Sequence, residues 1–385
     1  MAKRRGNHEG SIYKRPNGRW QAQVTIKGHR ITKTLNTQRE CRTWIKDITM
    51  QKDKGVSVSG VRTTYGEYLE RWLEDVKPSL RTKTWMQYEG IVRNHIKPGL
   101  GKIKLMALSP EVIQQLYTEK SQKGTGERTV SLIHAVIHRS LEIAKKQGLI
   151  SSNPAQAVEK PKVSPKEMKV LSEHQAQQLL IAAQGDRIEM LLHLAITTGM
   201  RQGEILGLKW DDLDWSTNEI HIVRQLQRIT GQGTVFSPPK TRAGRRRIKL
   251  GPKTMRRLGK HLDHQDMDKQ WACSRWQENG LIFCSTIGTP LDQKKVYLEF
   301  KILLKKAGLP DIRFHDLRHT AATLMLLSGV PILVVSRRLG HIRVSTTLDI
   351  YGHFIPGMQN QAALIMDELV TPIAADLQQE KELVE

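Results

Sequence analysis

Four short clusters in this 385-residue chain bring together side chains able to do chemistry. The first is Thr198-Gly199-Met200-Arg201-Gln202-Gly203-Glu204-Ile205-Leu206-Gly207-Leu208, where an apolar helix should end at Gly199 and another begin near Arg201. Arg201 and Glu204, three apart, then share a face while Ile205 and Leu208 turn inward. Taken alone, such a pair reads as a surface salt bridge. The second cluster, Ser237 to Leu250, reads as a hairpin with Ala243-Gly244 near its turn and Ile248 and Leu250 inward on the returning strand. Between Lys240 and Lys260 stand ten basic residues and no acidic one. Like charges at that density repel unless an anion screens them, which favours a polyanionic ligand over a merely solvated face.

The third cluster, Phe314-His315-Asp316-Leu317-Arg318-His319-Thr320, sets His315 and Arg318 beside a buried stripe of Leu317, Ala321 and Leu324, so that both can address one ligand. The fourth runs from Leu339 to His353: Gly340 caps a helix spanning Ile332 to Arg338, and Tyr351 falls in a second short helical stretch. Gly329 to Tyr351 has the outline of a helix-turn-helix, which by itself would suggest a DNA-binding regulator. The nearby histidines raise the question of a metal. Only His315 and His319 lie four apart, and no His-Glu-x-x-His pattern exists, so no metal ligand is assigned.

All four clusters lie beyond Leu171, and the elements before them read as separate modules. From Gly10 to Gly55 the pattern is three strands and a helix. Ser11 to Lys14 leads into the turn Pro16-Asn17-Gly18, and Trp20, Ala22, Val24 and Ile26 alternate with polar residues. Lys27-Gly28-His29 then turns the chain into Arg30 to Leu35, after which Thr37 caps a helix aligning Cys41, Trp44, Ile45 and Ile48. Residues 1–60 hold 14 Lys and Arg against 4 Asp and Glu, so this small sheet reads as a module that enters a DNA groove. Val56-Ser57-Val58-Ser59-Gly60 has a linker's composition.

Thr64 to Gly148 is helical in pattern, with Tyr65, Tyr68, Leu69 and Trp72 on one face and Ile133, Val136, Ile137 and Leu141 on another. Pro78, Pro98-Gly99 and Ser109-Pro110 divide it into about four helices. Arg81-Thr82-Lys83-Thr84 and Lys120 to Arg128 offer groups suited to phosphate contacts. Lys160-Pro161-Lys162-Val163-Ser164-Pro165-Lys166 should stay extended as a semi-rigid linker. Past Leu171 helices alternate with a few strands, and beyond Pro356 the charge turns acidic.

The whole chain carries 61 Lys and Arg against 38 Asp and Glu, a net charge of +23 with a pI near 10.0, which points to a nucleic acid as partner. A membrane partner is disfavoured, because no long apolar span is present and Met1-Ala2-Lys3-Arg4-Arg5 lacks the apolar run of a secretory signal. Cys41, Cys273 and Cys284 are scattered without paired spacing, which suits a reducing cytosol and offers no zinc motif.

Taken together, the clusters resemble the signature of the tyrosine recombinase (phage integrase) family: an Arg within Thr-Gly-x-Arg-x-x-Glu, a Lys on a β-hairpin, His-x-x-Arg, a His after Leu-Gly, and then Tyr. The matching positions are Arg201, Lys240, His315, Arg318, His341 and Tyr351, in the family's order. Each match is weak alone and six in order are specific. Lys249 is a second candidate for the hairpin lysine. The N-terminal sheet is similar to the arm-type DNA-binding domain of phage and conjugative-element integrases, and the middle helices to their core-binding domain.

The resemblance implies a multidomain α+β protein. Residues 1–60 would be an arm-type DNA-binding domain with a small three-stranded β-sheet plus helix, and 61–165 an all-α core-binding bundle. Residues 166–356 would be a mainly α catalytic domain with a small β-sheet. The tail at 357–385 has an apolar face of Ala362, Ile365, Met366 and Leu369 beside its acidic end, and reads as a contact with another protomer. The implied activity is site-specific recombination that integrates and excises a mobile element or prophage. Tyr351 would attack a phosphodiester, giving a 3′-phosphotyrosine link and a free 5′-hydroxyl, without ATP, metal or cofactor. Arg201 and Arg318 would hold the non-bridging oxygens bidentately, and Lys240 would protonate the leaving oxygen. His315 would assist the tyrosine proton or the phosphate, His341 would donate to an oxygen, and Glu204 would orient the arginine. The implied partners are double-stranded DNA bearing core-type and arm-type sites, further copies of the chain in a homotetramer, and accessory DNA-bending or excision proteins in a bacterial cytoplasm. Two alternatives stand beside this: a type IB topoisomerase, against which the small N-terminal sheet argues, and a non-catalytic helix-turn-helix regulator.

Overall fold

The chain divides into two units, residues 1–166 and 167–385, and the computed structural model describes residues 10–26, 29–53, 63–164, 168–239, 241–352 and 358–370. In the first unit β1 (Ser11–Lys14), β2 (Trp20–Ile26) and β3 (His29–Leu35) pair antiparallel in the order β1-β2-β3. Alternation puts Val24 and Ile31 on one face, where they bury with Ile48 against Trp44 and Ile45 of α1 (Gln38–Asp53). The Thr37 hydroxyl accepts from the Glu40 N–H, and the Glu40 carboxylate accepts from the N–H groups of Asn36 and Thr37, which fixes where α1 begins. The Lys27-Gly28 turn and the Val56 to Gly60 linker lie outside the described residues.

The helical segment contains α2 (Tyr65–Val76), α3 (Thr82–Ile91), α4 (Lys97–Leu100), α5 (Pro110–Gln122) and α6 (Glu127–Lys146). Tyr65, Tyr68, Leu69 and Trp72 meet Ile133, Val136, Ile137 and Leu141 in one apolar core, and the two tyrosine hydroxyls both reach Ser140. Four helical stretches result, as expected, although Pro98-Gly99 lies in the last turn of the second rather than after it: a π-helical turn, Val92–Ile96, runs α3 straight into α4, which ends at Leu100. The π turn departs from the regular i to i−4 pattern just before Pro98, whose ring and missing N–H could not take part in it.

The second unit begins with α7 (Glu173–Ala182), α8 (Glu189–Thr198) and α9 (Gln202–Leu206). Strands β4 (Leu213–Asp214), β5 (Glu219–Ile222) and β8 (Arg246–Lys249) form a sheet in that order, and β6 (Gln225–Ile229) and β7 (Gly233–Ser237) form a separate hairpin. Then follow α10 (Pro252–Ala272), α11 (Gln293–Lys306), α12 (Asp316–Leu327), α13 (Ile332–Leu339), α14 (Val344–Tyr351) and α15 (Met358–Val370). Among the described residues, the stretch from Ser237 to Leu250 does not form the expected hairpin. β7 pairs backward with β6 across a turn in which Gly231 and Gly233 have positive φ, and β8 pairs with β5, so that Ile248 lies opposite Ile220. Ile248 and Leu250 do face inward, joining Leu191, Ile205 and Leu317 in the main core.

Candidate active site

The site is assembled where α8 stops. Its apolar residues carry it to Gly199, which takes a left-handed conformation with φ 67°. A Cβ on Gly199 would lie 2.5 Å from the Leu339 side chain, so this corner needs glycine both for its backbone and for the close approach of α13. Two residues on, Arg201 precedes α9. Its backbone N–H donates to Glu204 Oε2 at 3.1 Å and its Nη1 to Oε1 at 2.7 Å. From the other side, Arg246 Nη2 donates to Glu204 Oε2 at 3.0 Å. Glu204 is 1% exposed, so the surface-salt-bridge reading does not hold: its carboxylate is buried between two guanidiniums. Burial pushes the Glu204 carboxyl up, but the charges and hydrogen bonds of Arg246 and Arg201 outweigh it and leave the pKa below the usual carboxylate range.

Arg246 was expected to face a polyanion with the rest of its charge run, and the structure turns it inward instead. It shares an alternating strand with Ile248, two residues on, and therefore the same buried side. Besides Glu204 it donates Nε to the Arg338 carbonyl at 2.6 Å and Nη1 to the Gly244 carbonyl at 3.1 Å. One side chain thus ties β8 to α9 and to the last turn of α13.

Arg318 lies in α12 at 3% exposure. Nη1 donates to the Gly199 carbonyl and Nη2 to the Leu339 carbonyl, both at 2.7 Å, and each nitrogen keeps a second N–H. Desolvation, then the charges of Arg201 and Arg246, lower its pKa to about 9. Arg201, Arg246 and Arg318 thus bring three guanidiniums near the one carboxylate of Glu204, an excess of positive charge that suits an anion.

Three imidazoles surround this charge. His341 follows Gly340, whose φ of 74° ends α13, and its Nδ1 lies 2.8 Å from the Thr347 hydroxyl. Desolvation and the charges of Arg318, Arg201 and Arg246 lower its pKa to about 4. His315 immediately precedes α12 and has an exposed face. Desolvation of the rest of the ring, then His319, Arg318 and Arg201, hold it below the ordinary histidine range. His319 stands one turn further, edge-on to His315 with ring centroids 5.2 Å apart. Its Nδ1 is 2.7 Å from the hydroxyl of Tyr351. Tyr351 closes α14 at 1% exposure, packed among Ala322, Leu326, Val335 and Leu339. Burial pushes its phenol up to about 12, with the Arg318 charge pulling the other way.

Of the residues singled out by sequence, Arg201, His315, Arg318, His341 and Tyr351 come together in this one pocket. Lys240 lies outside the described residues. Lys249 stands exposed on β8, opposite Glu219. Two residues went unrecognised. His319 was noted only for its spacing from His315, and Arg246 was lost in the charge run although its alternation with Ile248 marked it as inward. Among the described residues no group of three or more His, Cys, Asp or Glu side chains is placed to hold a metal ion, and no helix is long and apolar enough to cross a membrane. What the pocket holds is a phenol hydroxyl within hydrogen-bond distance of His319, beside guanidiniums whose remaining N–H groups can receive a tetrahedral anion.

Comparison with known proteins adds the following. Residues 169–356 match the Phage integrase family, and residues 64–121 match its N-terminal SAM-like domain. A XerC-like tyrosine recombinase of Caldanaerobacter subterraneus subsp. tengcongensis is 30% identical over 336 residues, covering 82% of this chain and 85% of that protein. Among solved structures, the integrase of transposon Tn1549 in complex with a circular intermediate DNA is similar in fold, with a TM-score of 0.65 at 21% identity over 75% of this chain and 95% of that one. A lambda integrase tetramer bound to a Holliday junction is also similar, with a TM-score of 0.55 at 18% identity over 89% of this chain and 96% of that one.

Proposed function

The chain belongs to the phage integrase family of tyrosine recombinases, and from that premise we propose that it is a site-specific integrase acting through a 3′-phosphotyrosine intermediate to move a prophage or another mobile element into and out of a bacterial chromosome. The observation that carries the proposal is the buried Tyr351 hydroxyl beside Arg318, in a pocket where Arg201 and Arg246 share the carboxylate of Glu204 and Arg318 is held by two backbone carbonyls. Tyr351 Oη attacks the scissile phosphorus. The remaining N–H groups of Arg201 and Arg318 hold the non-bridging oxygens as charge grows on them. Lys240 protonates the departing 5′-oxygen. With His341 Nδ1 accepting the Thr347 hydroxyl, its Nε2 carries the proton and donates to a phosphate oxygen. The phosphotyrosine keeps the energy of the broken bond, so rejoining requires no ATP.

The same proposal divides the labour along the chain. Residues 1–60, with 14 basic against 4 acidic side chains, read arm-type sites, the bundle from 61 to 165 binds core-type sites, and the domain at 166–356 carries out the cleavage. Exchange between two duplexes calls for four active sites, hence a tetramer on DNA, served by accessory DNA-bending or excision proteins in the bacterial cytoplasm. In α15, Leu364, Ile365, Met366 and Leu369 are exposed, and a neighbouring protomer in a head-to-tail ring would cover them.

The test is a supercoiled plasmid carrying two directly repeated copies of the element's attachment site. Release of a recombinant circle is the expected result. Relaxation without exchange would make the protein a topoisomerase, and binding with neither reaction would make it a regulator.

A further inference from the structure

We propose that His319, rather than His315, accepts the proton of Tyr351 when that hydroxyl attacks DNA. The inference rests on the recombinase reading and deepens it by assigning the proton. Geometry comes first: His319 Nδ1 is 2.7 Å from the Tyr351 hydroxyl, within the range required of a general base. The partners sit on adjoining elements, α12 and α14, and the phenol is wrapped by Ala322, Leu326, Val335 and Leu339, so the bond is shielded from water. His315 stands behind His319, edge-on to its ring, and faces solvent.

Electrostatics agree. Around His319 are His315, Asp316, Arg318 and Arg313 on or just before α12, Tyr351 on α14, and His341 after α13. Burial, then Arg318 and Arg313 against Asp316, leave His319 below the ordinary histidine range, so the ring is neutral and has a lone pair to offer at neutral pH. The phenol, at about 12, does not ionise beforehand. Transfer therefore accompanies attack, because the hydroxyl proton grows acidic as the oxygen bonds to phosphorus. In this step the Oη–P bond forms, the P–O5′ bond breaks, the phenol proton passes to Nδ1, and the 5′-oxygen takes a proton from Lys240. In rejoining, the same ring returns its proton to Tyr351, and the Arg318 charge beside the imidazolium favours that return.

The experiment measures the single-turnover rate of covalent adduct formation on a nicked suicide duplex, across the pH range in which histidine titrates. His319→Asn puts an amide oxygen near the Nδ1 position, where it can accept the hydroxyl but cannot carry the proton. The wild-type rate should rise through a pKa below the ordinary histidine value and then level. H319N should bind DNA normally, cleave ~10²-fold more slowly, and lose that rising limb. A wild-type rate and profile in H319N would overturn the proposal. So would loss of the limb in H315N while H319N keeps it, or recovery by H319N of what H319A loses, since that would reduce His319 to a positioning residue. Should H319N fail to fold, the full-length protein carrying a difluorotyrosine at position 351 decides, together with H315N. In H315N and in the difluorotyrosine protein alike the limb should stay in place, because it belongs to His319; its loss in H315N would assign it to His315, and a limb that moves with the phenol's acidity would assign it to Tyr351. Absence of any adduct in the wild type would overturn the recombinase reading and this inference together, whereas a normal wild type with an unaffected H319N would remove only the latter.

Discussion

Arg201, Arg246 and Arg318 differ in what holds them, and the difference predicts how each fails. Arg318 is anchored by two backbone carbonyls, from Gly199 and Leu339, that lie 140 residues apart in sequence. A lysine can reach one of them or the phosphate, but its single ammonium cannot replace a planar fork. Arg318→Lys, or Arg201→Lys, should therefore lower cleavage of a core site by at least ~10²-fold, the usual loss when one preorganised oxyanion donor is removed. Near-normal single-turnover cleavage by either variant would mean that the bidentate role is wrong. Spacing paired Arg201 with Glu204 and His315 with Arg318, but on its own it made the first pair a surface salt bridge; only the resemblance of six positions in order brought them to one site. The Tyr351–His319 and Arg246–Glu204 bonds were not legible in the sequence, since they join residues 32 and 42 positions apart through tertiary packing.

At the scale of elements, two glycine corners set where α12, α13 and α14 meet. Gly340 has a φ of 74°, and a Cβ there would come within 2.8 Å of the Ala243 carbonyl and 3.0 Å of the Arg246 guanidinium. Gly340→Ala should destabilise the protein by at least about 1–2 kcal/mol from the left-handed backbone alone. It should also displace His341, so that thermal unfolding occurs earlier and cleavage weakens together. An unchanged melting temperature would show that the corner relaxes freely. Sequence marked Gly340 as a cap because a glycine after an apolar helical run is a local signal. The pairing of Ser237 to Leu250 was misread because strand partners are not local: nothing inside that segment says that β7 belongs with β6 and β8 with β5. Pro98-Gly99 did mark the end of a helical stretch, but the π turn before it was not legible, since it depends on how Val92 and Ile96 pack in the helical core.

For the whole molecule, the proposed division of labour predicts separable losses. Removing residues 1–60 should leave cleavage of core-type sites intact and abolish binding to arm-type sites. The salt dependence of affinity should become shallower as phosphate contacts vanish. If the truncated protein binds every site as tightly as the full chain, the arm-domain reading fails. Truncation after Phe354 removes the exposed apolar α15 and should weaken tetramer assembly and recombination while leaving single core sites bound. Unaltered assembly by sedimentation on DNA would rule out the protomer contact. Both deletions presuppose the central claim, that Tyr351 carries the broken strand. The direct test incubates the full-length protein with a nicked suicide duplex, digests the trapped complex and maps the DNA-linked peptide by mass spectrometry. The account predicts a 3′-phosphate esterified to Tyr351 and no adduct in Tyr351→Phe; a linkage on another residue, Tyr297 being the next candidate, or an adduct persisting in that variant, would contradict it.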